Sequence, residues 1–491
     1  MTINREQPGG VIDYRECDKE PITTLGAIQS YGGLVVIQRG EVIAHSSNIH
    51  LFLPVDTRPL LHRKIADVSP ELKELLIAVS TQLTRGQTSF QTFGRWTLGI
   101  RKAESGAESV EFFPPATDVF DAAGLNGLED EIDLLGRKFH YPVKDRSQFL
   151  SEVCRIFQKF LSFDQVFVQV FQEGELMEVV AEANTGKIEP VLGLVFSSKE
   201  IPSQARALYL KQRIRFKQAS QSTPVDLVGD RSVDLSHCIL REPSRFMTVY
   251  MQNISATTLL STSIVMDGKL VALLTMHHAV PLVLDPRSFD RIVAVVHKVS
   301  LELLRIDDLV EKNAESKLWE FLMQDFPLDR LSAIEQLIRS PQLAKSLAHS
   351  GAVVINGRKV VSINGECPRG EVIESTLEKV SAMSNRTSFT SKLAEDFAIH
   401  PNQLGEFAGV MSIQFEGGCV LFFRKGFHLE LKWRNATPEG IDQTTHLPRF
   451  SPSGSFQFLI QEVENQSRPW SEKDQAFARV VDKWISEDFD S

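Results

Sequence analysis

Four short stretches of this chain repeat one grammar: an apolar β-rich run, a tight polar turn and a second apolar run. Residues 34–37 turn at Arg39-Gly40 into 41–44, and residues 263–266 turn at Asp267-Gly268 into 269–276. Residues 351–355 turn at Asn356-Gly357 into 359–363, and residues 411–415 turn at Glu416-Gly417-Gly418 into 419–424. Asn-Gly and Asp-Gly supply the positive φ that two-residue hairpin turns need, so antiparallel hairpins are expected at these places.

Helical periodicity fills the intervals. Phe149, Leu150, Val153, Ile156, Phe157 and Phe160 form an i, i+3/i+4 stripe across 147–161. A longer stripe over 291–323 includes Ile292, Val295, Val296, Val299, Leu301, Leu304, Ile306 and Leu309. Its length suggests a connector between domains or a dimer seam, with packing on its own domain the plain alternative. Residues 116–135, rich in Gly, Asp and Glu, read as a linker or linker helix. At 491 residues the chain has room for about three domains. The expected fold class is α+β: three tandem antiparallel-sheet modules, at 1–117, 135–305 and 320–491, joined by long helices.

Composition narrows the function classes. A formal net charge of −10 disfavours nucleic acid or an anionic membrane as the main partner. Cys17, Cys154, Cys238, Cys367 and Cys419 are scattered and form no CxxC pair, which argues against a zinc cluster or disulfide framework and fits a reducing cytoplasm. The first twenty residues hold no apolar signal segment, and no apolar run reaches membrane-spanning length, so a cytoplasmic location is expected.

Single residues say less. Cys17 lies in a polar extended segment between Arg15 and Lys19, and by itself reads as a surface thiol. Pro202 after Glu200 and Ile201 reads as a helix start. Arg215 and Arg241 would hold two carboxylates if they faced one pocket, though each alone is an ordinary surface arginine. His277-His278 ends a strand without a third ligand at metal spacing. No nucleophile–base–orienter set is present, so an enzyme is not expected, and no kinase or cyclase motif follows the helix expected at 471–485.

Taken together, these residues resemble the photosensory core of bacterial phytochromes over almost the whole chain. Cys17-Asp-Lys-Glu-Pro-Ile22 followed by Gly26-Ala-Ile-Gln-Ser-Tyr-Gly32 is similar to the family's CDxEPI…GxIQPHG signature. Residues 197–202 occupy the PASDIP motif, 240–253 match LRSVSPVHLEYLRN without a gap, and 163–171 match the YDRVMxYRF strand. Arg449 to Phe456 resembles the tongue with its PRxSF motif, carried here by Pro452, Ser453, Ser455 and Phe456. The resemblance implies PAS (1–117), GAF (135–305) and PHY (320–491) domains, a tongue at about 427–465 and an N-terminal figure-of-eight knot.

It also implies a linear tetrapyrrole, biliverdin IXα, joined by a thioether to Cys17. Arg215 and Arg241, helped by Ser261, would hold the two propionates, and His277 would bond the D-ring carbonyl. Glu200, Ile201, Tyr209, Met247 and Tyr250 would line the pocket. Several positions depart from the family: Glu200 replaces the motif aspartate, Met247 a histidine, Gln169 and Phe196 two tyrosines, and Ser453 the tongue arginine. The expected function is a red/far-red photoreceptor module that binds biliverdin through Cys17 and photoconverts abnormally. The alternative is a chromophore-free relative acting in protein interaction or redox sensing. Expected partners are a second copy, through GAF and PHY helices, and an unidentified output protein; neither nucleic acid nor membrane is expected.

Overall fold

The structure, a computed structural model, describes residues 20–487 except 55–57, 81–87, 104–105, 116–121, 140–145, 173–175, 198–200, 324–325, 328, 427–428, 435, 442–447, 451–457, 464–466 and 469. Its first strands are β1 (Ala27–Ile28), β2 (Gly33–Gln38), β3 (Glu41–Ser46), β4 (Thr88–Phe93), β5 (Trp96–Lys102) and β6 (Glu108–Phe113). The second set is β7 (Gln165–Gln172), β8 (Leu176–Asn184), β9 (Val195–Ser197), β10 (Ile214–Lys217), β11 (Val225–Gly229), β12 (Thr258–Met266) and β13 (Lys269–His278). The third is β14 (Gly351–Asn356), β15 (Lys359–Gly365), β16 (Thr387–Thr390), β17 (Phe407–Phe415) and β18 (Gly418–Lys425).

All four expected hairpins form: β2–β3, β12–β13, β14–β15 and β17–β18 each pair antiparallel. Both turn residues take positive φ at Arg39-Gly40 (53° and 80°) and at Asp267-Gly268 (48° and 74°), as the twist of tight hairpins demands. The fold is α+β, built on three antiparallel sheets with helices on their faces. The expected linker at 116–135 contains a helix, Ala122–Lys138, and the long stripe becomes one helix of 36 residues, Arg287–Leu322.

The chain forms two compact units: residues 1–304 with 432–459, and residues 305–431 with 460–491. In the first unit one sheet runs β1-β11-β3-β2-β6-β5-β4. Strand β11, from the second set, crosses into it and pairs with β3 at Leu227↔Ser46 and with β1 at Ala27↔Asp226. The first sheet therefore takes one of its strands from the second set. Without β11, the edge of β3 would present a row of unpaired backbone groups, and the two-residue β1 is too short to cover it.

The other sheet of this unit runs β10-β12-β13-β7-β8-β9, and β9 pairs in parallel with the backbone of Trp433 at Val195. The helix Arg146–Leu161 lays Phe149, Leu150, Val153, Cys154, Phe157 and Leu161 against it, all buried. In the second unit the sheet β15-β14-β18-β17-β16 buries both faces. Ala352, Val354, Met411, Ile413, Val420 and Phe422 meet Trp470, Phe477 and Trp484 on one side. Val353, Ile355, Val410, Leu421 and Phe423 meet Ile373, Val380 and Phe397 on the other. The two sets alternate along each strand, the period-2 pattern of a sheet covered on both faces. Among the described residues no helix is long and apolar enough to cross a membrane.

Candidate ligand-binding site

Antiparallel pairing places opposite residues on one face of a sheet. Two such rows cross β10, β12, β13, β7 and β8. The first is Arg215–Ser261–Thr275–Phe167–Glu182, and the second, beginning on β12, is Leu259–His277–Gln165–Asn184. The sheet register alone therefore brings Arg215, Ser261 and His277 onto one surface. The Ser261 and Thr275 hydroxyls hydrogen-bond at 3.1 Å. The helix Ser203–Lys211 is tied to β12 by the Ser263 hydroxyl, which donates to the Tyr209 carbonyl at 3.1 Å. This sets the Tyr209 phenol on Ser261, beside Arg215 and Arg241.

Arg241 reaches the same place from the loop before the helix Arg245–Asn253. Its backbone bridges Ile28, and its Nη1 donates to the Ile22 carbonyl. Arg215 is 8% exposed and Arg241 5% exposed. Arg215 donates only to carbonyls among its described partners, those of Ile214 and Ser236, both at 3.3 Å. Burial, and then the Arg241 charge, hold the Arg215 guanidinium well below its ordinary pKa; burial lowers Arg241 as well. Among the described residues neither arginine forms an ion pair. Two buried like charges without a direct ion pair are costly, because desolvation and mutual repulsion act in the same direction. The arrangement suits a ligand that brings two anionic groups.

At the other end of the surface His277 is fully buried. Its ring stands edge-on to Phe167, with centroids 5.1 Å apart, and 6.2 Å from the ring of Tyr250. Its Nδ1 lies 2.9 Å from Gln165 Oε1. Tyr250 and Met247 pack on the cluster of Ile188, Met251, Ile254, Ala256 and Leu259. Ile201 packs on Phe167, Met177, Val179, Val191 and Leu194. The structure thus assembles Tyr209, Arg215, Arg241 and Ser261 at one end and His277, Tyr250 and Met247 at the other, while Ile201 joins through Phe167. Cys17, Glu200 and the tongue residues Pro452, Ser453, Ser455 and Phe456 lie outside the described residues.

Sequence reading missed the supports of this site. Lys217 is fully buried and donates to Glu242 Oε1 at 2.6 Å. It stands two residues after Arg215 on the same strand, and Glu242 directly follows Arg241, so strand periodicity held the only available hint. The Gln29 side chain donates from Nε2 to the Phe216 carbonyl at 2.7 Å and accepts from the Gln218 N–H at 2.9 Å, completing the free edge of β10. Behind Arg241, the buried Glu111 of β6 accepts from the Leu240 N–H at 2.6 Å.

Burial pushes the Glu111 carboxyl up to about 7, against the opposing pull of the Leu240 and Ile239 amides and Arg101. The folded chain therefore holds this proton more tightly than the unfolded chain does. The stability it contributes is complete below the ordinary value of about 4.3 and is lost as pH rises through about 7. Denaturant unfolding between pH 5 and 8 is expected to show a loss of about 3 kcal/mol with rising pH, absent in Glu111→Gln.

The chain thus joins sheet-and-helix modules in tandem, one of them carrying the buried pair Arg215 and Arg241. The phytochrome-region family model matches residues 316–490, and the PAS-fold model matches residues 17–98. The bacteriophytochrome of Pseudomonas aeruginosa is 26% identical over 96% of this chain and 66% of its own length. That of Xanthomonas campestris pv. campestris is 24% identical over 94% of this chain and 76% of its own. Cyanobacterial phytochrome B of Nostoc sp. is 25% identical over 96% and 65%. The chain thus spans a little under two thirds of the first-matched relatives. The crystal structure of a bacteriophytochrome from R. palustris superimposes with a TM-score of 0.79 at 20% identity, covering 96% of this chain and 99% of that one. Over almost its whole length the chain is similar to bacterial phytochrome photosensory cores, and these matches together support that resemblance.

Proposed function

We propose that this chain is a light-sensing module that binds biliverdin IXα in the site above, joined to Cys17, and that its photoconversion is incomplete or ends in an unusual product. The observation that carries the reading is the pair of buried guanidinium groups, Arg215 and Arg241, without an ion-pair partner among the described residues. Two propionates would satisfy both by charge-assisted hydrogen bonds. Tyr209 and Ser261 would orient that end, and His277, Tyr250, Met247, Ile201 and Glu200 would line the rest. When bound, the tetrapyrrole supplies red-light absorption and a double bond that light can isomerise.

Two side chains support the altered photoconversion. Met247 offers no titratable partner where the family has a histidine, and Ser453 offers no cation to an acidic PASDIP residue. A tongue without that ion pair loses one contact by which it could distinguish two chromophore states. The reading includes domains at 1–117, 135–305 and 320–491, a tongue at about 427–465 and a figure-of-eight knot. Support for the knot comes from the bonds of residues 22–29 to 235–242: Leu235 N–H to Thr23, Gln29 N–H to Leu240 and Glu242 N–H to Ala27. A homodimer through the helices, and an output carried by a partner or a further segment, complete the proposal.

The test is to incubate pigment-free protein with biliverdin and record spectra before and after red light. The expected result is a covalent far-red-absorbing adduct that persists in denaturing gels, disappears in Cys17→Ala and bleaches only partly under illumination. No adduct, or one unchanged in Cys17→Ala, overturns the reading.

A further inference from the structure

We infer that Gln165 fixes the proton of neutral His277 on Nδ1, so that the ring's other nitrogen, Nε2, acts as a hydrogen-bond acceptor toward the site. Glu182 anchors the arrangement. Its Oε2 accepts from the backbone N–H groups of Val191 (2.9 Å) and Leu192 (2.8 Å), which can only donate. Its Oε1 accepts from Asn184 Nδ2 and Gln165 Nε2, both at 2.8 Å. The Asn184 amide is oriented independently: its Nδ2 also donates to the Ile188 carbonyl at 2.9 Å, and its Oδ1 accepts from the Gly186 N–H at 2.7 Å.

Gln165 inherits its orientation from these fixed groups. Its Nε2 donates to Glu182 and also to the Glu189 carbonyl at 2.8 Å. Reversing the amide would set its oxygen against a carboxylate oxygen and a carbonyl oxygen. Gln165 is fully buried, where such contacts cannot be relieved by water. Only Oε1 is then left to face His277 Nδ1, 2.9 Å away, and an amide oxygen accepts without donating. The hydrogen must sit on Nδ1. A neutral imidazole carries one ring proton, so Nε2 keeps its lone pair.

The consequence deepens the proposed function and, for its meaning at the chromophore, rests on it. An accepting Nε2 suits a pyrrole-type N–H. The D-ring carbonyl contact that the family resemblance implies would require the ring to be a charged imidazolium. Gln165 is a positioning residue in this scheme: it acts on the ligand only by setting the polarity of His277. It stands where the YDRVMxYRF pattern has its arginine, which could supply donors but no acceptor to Nδ1.

The test is tautomer-resolved NMR on the full chain labelled with ¹⁵N-histidine, with His277 assigned by its loss in His277→Gln. Spectra are taken at about pH 8.5, two units above the ordinary imidazole value of about 6.5. The pigment-free and biliverdin-treated proteins are both measured. The expected result is the Nδ1–H form in pigment-free protein, inverting to predominantly Nε2–H in Gln165→Leu with an unchanged circular dichroism spectrum. Glu182→Gln, which releases the Gln165 amide to reverse, is expected to give a mixture. A wild-type ring in the Nε2–H form, one protonated on both nitrogens at this pH, or tautomers indifferent to both substitutions overturns the inference. Because the pigment-free measurement needs no ligand, failure to bind biliverdin would remove the functional reading and leave this one standing.

Discussion

Arg215→Met is expected to move two measurements in opposite directions: the pigment-free protein becomes more stable while its grip on biliverdin weakens. The guanidinium is 8% exposed, forms no ion pair among the described residues and lies near enough to Arg241 for the two charges to repel. Replacing an uncompensated buried charge with an apolar chain of similar length removes a desolvation cost, and gains of about 1–4 kcal/mol accompany such replacements even for paired ions. Loss of one partner from a buried anion contact costs about 2–5 kcal/mol, or roughly 30-fold to several-thousand-fold in affinity. Denaturant unfolding of the pigment-free chain and titration with biliverdin check the two halves. If stability falls while affinity is unchanged, Arg215 is a structural arginine and no anion is received at this place.

Lys217 and Glu242 are expected to behave in the contrary way. Here the cation has its carboxylate, at 2.6 Å, with side-chain exposures of 0% and 9%. Either Lys217→Met or Glu242→Leu alone should cost about 3–5 kcal/mol, because each leaves a buried charge unanswered. The double substitution Lys217→Met/Glu242→Leu should recover most of that loss, since two well-packed apolar chains avoid the desolvation of both ions. Burial raises the Glu242 carboxyl while Lys217 opposes it, so Lys217→Met should also release Glu242 to hold a proton. A double-mutant cycle by urea unfolding checks this. Additive losses would show that the two side chains do not support each other.

The contrast between these neighbours explains what the sequence could and could not disclose. Hairpins at Asp267-Gly268 and Arg39-Gly40 were legible because a turn is chosen by two adjacent residues. The arginine pair was legible only through resemblance to a family, since nothing in the spacing of 215 and 241 says that they face one another. Strand β11 gave no local sign at all. Val-Asp-Leu-Val-Gly is short, has no hairpin partner beside it and finds its neighbours at Ser46 and Ala27. Gln165 was hidden for another reason: its role depends on Glu182, and Glu182 is oriented by backbone amides of the loop at 191–192. Chemistry of that kind exists only in the closed chain, whereas a hairpin turn is specified by residues adjacent in sequence.

The passage of β11 into the first sheet has a bearing on synthesis. A chain leaving the ribosome exposes its amino end first, and domains ordinarily condense in that order. Here β3 keeps an open margin until Leu227 has emerged, and the Gln29 amide has no carbonyl to meet until Phe216 follows. The amino-terminal third must wait, unsealed, for residues made much later. The two sheets of the first unit are thus expected to mature together, in one late event.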